Sequence, residues 1–190
     1  MLSKKKRQEY LKALGFYTGK IDGIVGAKTK AAYKALQQRY FIRSSDIDGI
    51  YGKNTNILLQ NAYSVHTCCT NFKLEELKCK CGGKYCTGYP AVLDEQLLKN
   101  LQSVRDKFGA TVVPSCLRCK TYNSKLAGSA KNSRHLKGKA ADIKNDVSKT
   151  EDGRKEIMSF WKTLPKQRYT YCNLGGSHKT MGNAVHIDVK

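Results

Sequence analysis

Apolar residues recur along the chain with two different periods. Near the start, Tyr10, Leu11 and Leu14 stand on one helical face within an otherwise polar segment. Ala32, Ala35 and Leu36, and later Ile57, Leu58 and Ala62 with Asn61, repeat that spacing and predict two more helices, the last ending near Tyr63. The segment before each of these helices is duplicated. Ile21-Asp22-Gly23-Ile24-Val25-Gly26-Ala27-Lys28-Thr29 returns as Ile47-Asp48-Gly49-Ile50-Tyr51-Gly52-Lys53-Asn54-Thr55. In each copy an Asp-Gly turn and a second glycine lead into the helix. Polar residues without periodicity follow Tyr63 and mark a linker over 65–71.

Beyond the linker the period alternates. Asp94 is placed to cap a helix whose Leu97, Leu98, Leu101, Val104 and Phe108 share a buried face. Short strands are expected at Thr111-Val112-Val113, from Ala140 to Ile143, from Arg168 to Cys172 and from Ala184 to Val189, with a helix from Glu151 to Leu164 that contains Trp161. The fold expected is therefore two domains: a small all-α three-helix unit with an internal repeat over 1–64, and an α+β domain with a mainly antiparallel sheet over 72–190.

Charge narrows the choice of partner. With 35 Lys and Arg against 15 Asp and Glu, the net charge of +20 predicts a polyanionic partner: nucleic acid, an acidic lipid surface or a bacterial wall rich in carboxylates and phosphates. No stretch approaches the ~20 consecutive apolar residues of a membrane-spanning helix. The basic start Met1-Leu2-Ser3-Lys4-Lys5-Lys6-Arg7 is followed by Gln8, Glu9 and Lys12, so the apolar core of a secretory signal is missing. The expectation is synthesis in the cytoplasm, with any action outside the cell dependent on a separate release step.

The clearest chemistry lies in the second domain. Val185-His186-Ile187-Asp188-Val189 alternates strictly, placing His186 and Asp188 on one face and the aliphatic residues on the other. In Ser133-Arg134-His135-Leu136-Lys137-Gly138-Lys139-Ala140-Ala141-Asp142, a loop turning at Gly138 and entering a strand can aim His135 and Asp142 at one point. If the two strands share a sheet, His135, Asp142 and His186 form a two-imidazole, one-carboxylate set suited to zinc. Three protein ligands leave a fourth position for water, as in catalytic sites, where the metal acidifies that water and polarises a carbonyl.

Two resemblances sharpen this picture. Leu14-Gly15-Phe16-Tyr17-Thr18-Gly19-Lys20-Ile21-Asp22-Gly23-Ile24-Val25-Gly26 with Thr29 resembles the peptidoglycan-binding domain of many wall hydrolases; the second copy departs from that pattern at Arg43-Ser44-Ser45-Asp46. Ser133 to Asp142 with His186, preceded by Pro114-Ser115-Cys116-Leu117-Arg118, Asn123 and Ala127-Gly128, is similar to the zinc D-Ala-D-Ala carboxypeptidase and L-alanyl-D-glutamate endopeptidase family. The likeness implies zinc held by His135, Asp142 and His186, substrate contacts from Ser115, Arg118 and Ser133, and a role for Arg118 on substrate or oxyanion. It also implies an acidic base three residues before the last histidine, where this chain carries Asn183. Asp188 as base or as a partner orienting an imidazole, and His178 in a glycine-rich loop, are the remaining candidates.

Eight cysteines are too few for a disulfide scaffold of this length. Yet Cys79-Lys80-Cys81-Gly82-Gly83-Lys84-Tyr85-Cys86 resembles a metal knuckle with three sulfurs. A fourth ligand from Cys68, Cys69, Cys116 or Cys119, disulfides, and free thiols all remain open. The function expected is an endolysin-like zinc peptidase of the bacterial wall, monomeric, with peptidoglycan and anionic wall polymers as partners and no nucleic acid. The competing expectation is an inactive, zinc-containing wall-binding protein, for which Asn183 speaks.

Overall fold

The computed structural model describes residues 1–190. Its first half contains helices α1 (Lys4–Ala13), α2 (Ala27–Tyr40) and α3 (Lys53–Cys68). They pack through Leu11, Leu36, Leu58 and Leu59, all fully buried.

The duplicated segments fold as two matched turns, each organised by one buried glutamine. The Gln8 amide donates to the Asp22 carboxylate at 2.9 Å and to the Ile24 carbonyl at 3.0 Å, while its Oε1 accepts from Gly23 N–H at 2.8 Å. Gln37 does the same in the second copy, donating to Asp48 at 2.8 Å, Ile50 O at 3.2 Å and Thr55 Oγ1 at 2.9 Å, and accepting from Gly49 N–H at 2.8 Å. Gly23 and Gly49 sit at φ 79° and 70°, a region that L side chains avoid. The repeat thus encodes a polar knot under each turn: an amide group has a donor and an acceptor at one end, so one buried side chain satisfies several backbone groups at once.

The second half contains α4 (Glu95–Phe108), β1 (Thr111–Ser115), the short α5 (Lys120–Ser124), β2 (Ala140–Asn145), α6 (Glu151–Thr163), β3 (Gln167–Cys172) and β4 (Val185–Val189). Asp94 caps α4 by accepting from Gln96 and Leu97 N–H, and Thr150 caps α6 by accepting from Gly153 N–H. The strands form one sheet in the order β1-β2-β4-β3, with every pair antiparallel. Ala141, Ile143, Val185, Ile187 and Val189 are fully buried in the core with Leu97, Leu101, Ile157 and Trp161. Removing aliphatic surface of this kind from water contributes roughly 25 cal/mol per Å², and it fixes which face of β2 and β4 is left for polar residues.

The expected linker over 65–71 is corrected by the structure. Helix α3 continues to Cys68, and Val65 is buried in the core. The polar residues Ser64 and Thr67 concealed this helical turn, although Ser64 and Val65 are buried rather than facing solvent. Core residues from both halves join in one cluster of 32. Asn61 on α3 strengthens the junction: its amide donates to Ala91 O at 2.9 Å and its Oδ1 accepts from Leu93 N–H at 2.8 Å.

Candidate functional site

One row across the sheet carries most of the polar chemistry. Ser115 on β1 pairs with Asp142 on β2, Asp142 with His186 on β4, and His186 with Tyr171 on β3. His135 joins the row from a 3₁₀ turn, Arg134–Lys137, that ends at Gly138 with φ 68°. Gly138 lies so close to the segment that leads into α4 that a Cβ there would clash with the Val92 carbonyl oxygen. Only glycine allows this loop to dock, and docking places His135 over the sheet.

His135, Asp142 and His186 are all buried, and their ligand atoms lie within 4.8 Å of one another. Asp142 Oδ1 is 2.8 Å from His186 Nδ1 and 3.4 Å from His135 Nε2. The Nδ1 of His135 is 2.7 Å from the Cys116 carbonyl oxygen, which can only accept a hydrogen bond. The proton of a neutral His135 therefore sits on Nδ1, and the Nε2 lone pair faces the cluster. The set of one carboxylate oxygen and two imidazole nitrogens fits a divalent metal of zinc type.

Electrostatics follow from this packing. Burial alone would raise the Asp142 carboxyl, but hydrogen bonds from His135 and His186 outweigh it and hold the group well below the usual carboxylate range. Burial pushes His135 below its ordinary value, against the opposing pull of Asp142. His186 is also penalised by burial, yet Asp142 and Asp188 raise it on balance.

The remaining sequence candidates separate by position. Arg118 is largely buried; its Nη2 donates to Asp142 Oδ2 at 2.7 Å and its Nε to Ser115 Oγ at 2.8 Å. Asp188 lies on the far side of the His186 ring, 3.6 Å from Nε2, and accepts from Tyr169 N–H at 2.9 Å and from Arg168 at 3.2 Å. His178 touches the row only through Tyr171, with ring centroids 4.5 Å apart. Ser133 precedes the His135 turn, and its side chain caps no helical amide. Asn183 is exposed just before β4.

Tyr171 was not singled out by the sequence. Its ring stacks on His186 at 4.5 Å and 23°, and burial raises its hydroxyl above the ordinary value, so it stays protonated at neutral pH. A strand tyrosine gives no local sign of facing a histidine; the β3–β4 register alone brings them together. Gln8 and Gln37 were also missed. They stand 14 and 11 residues before Asp22 and Asp48, and that unequal spacing hides the repeat's polar half.

The N-terminal half has its own concave surface. A groove of about 580 Å³ between the two repeats is lined by Arg7, Lys30, Lys34, Tyr33, Tyr51 and Ile50, with the Arg7 guanidinium 3.9 Å above the Tyr51 ring. Ile24 and Ile50, equivalent in the two copies, are 69% and 64% exposed.

The fold and the site together define a two-part protein: a helical unit with a basic, aromatic groove, and a sheet carrying a buried polar centre of the kind hydrolases use. The chain belongs to the Peptidase M15 family, whose model matches residues 70–188. The peptidoglycan binding domain model matches residues 5–59. The chain is thus a peptidase joined to a wall-binding unit. No curated protein matches it.

Proposed function

We propose that this chain is a zinc-dependent peptidoglycan peptidase, endolysin-like in design, which hydrolyses an amide bond in the stem peptide or cross-link while its N-terminal unit holds the polymer. The observation that carries this reading is the convergence of His135 Nε2, Asp142 Oδ1 and His186 Nδ1 within 4.8 Å on one sheet row. Family membership and the wall-binding match support the substrate class. The groove lined by Arg7, Lys30 and Tyr51 is the surface proposed for the polymer.

His135, Asp142 and His186 would hold the zinc, which when bound supplies Lewis-acid polarisation of the scissile carbonyl and acidifies the attacking water. Every other part belongs to the chain. Cys116 O fixes the His135 ring, and Asp188 lies against the far nitrogen of His186, so both imidazoles present the correct atom. Arg118 anchors Asp142 through Oδ2, leaves Oδ1 toward the histidines, and has further guanidinium N–H groups to receive a substrate carboxylate or oxyanion. Its bond to Ser115 sets the guanidinium plane. The contacts of Asp188 with Arg168, Tyr169 and His186 favour the orienting role over that of a base.

The test compares bound zinc, wall clearing and the masses of released muropeptides for the native chain and Asp142→Ala. The expected result is loss of the zinc held by the triad and of clearing, with native products one amide bond shorter. Full clearing by an Asp142→Ala chain that no longer holds zinc at the triad would overturn the proposal. Asn183 motivates the second reading, an inactive wall-binding protein. Zinc bound by the native chain with no muropeptide released would establish it.

A further inference from the structure

Outside the triad, the one dense group of metal-ligating side chains is formed by Cys79, Cys81, Cys86 and Cys119, whose sulfurs lie within 4.8 Å of one another. We propose that these four cysteines form a second metal site, a structural zinc bound by four thiolates, which ties the 79–88 loop to the segment that carries Arg118. This site is independent of the catalytic reading.

Geometry is the first support. A tetrahedral zinc with bonds of ~2.3 Å to sulfur requires neighbouring sulfurs ~3.8 Å apart, whereas a disulfide requires ~2.05 Å. Cys81 and Cys86 Sγ are 3.5 Å apart. The sulfurs come from two separate stretches of chain, and the backbone of each is shaped around them. Gly82 and Gly83 take φ 62° and 82°, turning the chain between Cys81 and Cys86, and Cys79 N–H closes the loop by donating to Gly88 O at 2.8 Å. From the other stretch, Leu117 N–H donates to Leu77 O at 3.1 Å.

The second support is the polarity around the sulfurs. Cys119 N–H donates to Cys79 Sγ at 3.3 Å, and Tyr122 N–H donates to Cys119 Sγ at 3.4 Å. Backbone amides aimed at sulfur stabilise a thiolate better than a thiol. A zinc with four thiolates carries a net charge of −2, and Lys80 and Lys120, which adjoin the ligands in sequence, with Lys84 two residues before Cys86, offset it. On binding, each thiol releases its proton to solvent. Four sulfurs complete the tetrahedron and leave no place for water, so the site is structural rather than catalytic.

Its position gives it a consequence. Cys119 follows Arg118 directly, and Arg118 N–H donates to His135 O at 3.2 Å. A metal clasp at Cys119 would therefore hold the arginine and the His135 turn in place from outside the polar row.

The experiment uses the full chain with the triad disabled, Asp142→Ala, purified with zinc and examined by elemental analysis and X-ray absorption at the zinc edge. The result expected is one retained zinc with four sulfur neighbours at ~2.3 Å. In the native chain, cobalt exchange should produce the sulfur-to-cobalt charge-transfer absorption, lost in Cys81→Ser/Cys86→Ser. If that double variant fails to fold, the absorption of the native chain still decides. A metal-free Asp142→Ala chain whose cysteines all react with a thiol reagent would overturn the site. So would a mass short by two hydrogens per cysteine pair, which signals disulfides, or iron in place of zinc. Activity in Asp142→Ala with the sulfur-bound zinc present would refute the catalytic proposal and leave this one standing.

Discussion

In the N-terminal half each Asp-Gly turn is tied by a glutamine at most 14 residues away, whereas in the C-terminal half Asp142 and His186 meet across 44 residues and only because β2 pairs with β4. Both halves bury polar side chains, but for different ends. Gln8 and Gln37 are neutral and use their hydrogen bonds up within the turn, so they shape backbone and leave nothing over. Asp142, His135 and His186 crowd an anion and two imidazoles together, with a lone pair of His135 turned inward. A satisfied local knot makes a scaffold; a long-range cluster with lone pairs to spare makes a site for an ion.

Breaking the long-range cluster should have the largest effect. Asp142→Ala, or removal of metal by a chelator, should lower muropeptide release by about a thousandfold or more, the equivalent of several kcal/mol of lost polarisation. Zinc readdition should rescue the chelated native chain and not the variant. Next comes Gly138→Ala, in which a methyl group meets Val92 O and the residue must keep a positive φ. A loss of about 2–5 kcal/mol in denaturant unfolding is expected. Wild-type stability would show that the loop relaxes without harm and would weaken the account of how His135 is placed.

Asp188→Asn should keep zinc and lose about 10–100-fold in turnover, as expected for a group that orients a ligand. Abolished turnover with zinc retained would instead make Asp188 the base. In the other half, Gln37→Ala should cost about 1–3 kcal/mol by leaving Asp48, Gly49 and Ile50 groups unpaired. It should weaken sedimentation with purified walls while cleavage of a short soluble stem peptide is unchanged. Gly52→Ala should have the smallest effect, within about 1 kcal/mol, because its φ of −91° is open to any residue and a Cβ would meet nothing within 4 Å.

Much of this was readable from one chain. The repeat showed itself through Asp22-Gly23 and Asp48-Gly49, since tight turns restrict residue type strongly. The alternation of Val185 to Val189 revealed which residues share a face, the start of α4 followed from its Asp94 cap, and α6 was expected within one residue of its observed end. Gln8 and Gln37 went unnoticed because a glutamine in a helix is ordinary until its partners are known. The linker overlaps the end of α3 because the polar residues of that turn read as loop, while Ser64 and Val65 are buried within the helix.

Local pattern therefore determined the two-part architecture and the strands, and it marked His135, Asp142 and His186 as candidates, because periodicity and turn chemistry act over short stretches of chain. Tertiary structure decided what those stretches meet. The register across four strands put Ser115, Asp142, His186 and Tyr171 in one row, aimed Arg118 at Asp142, set Asp188 on the far side of the imidazole, and chose Cys119 as the neighbour of Cys79, Cys81 and Cys86. Such pairings depend on how sheet, loops and core pack together, and no spacing within a single segment records them.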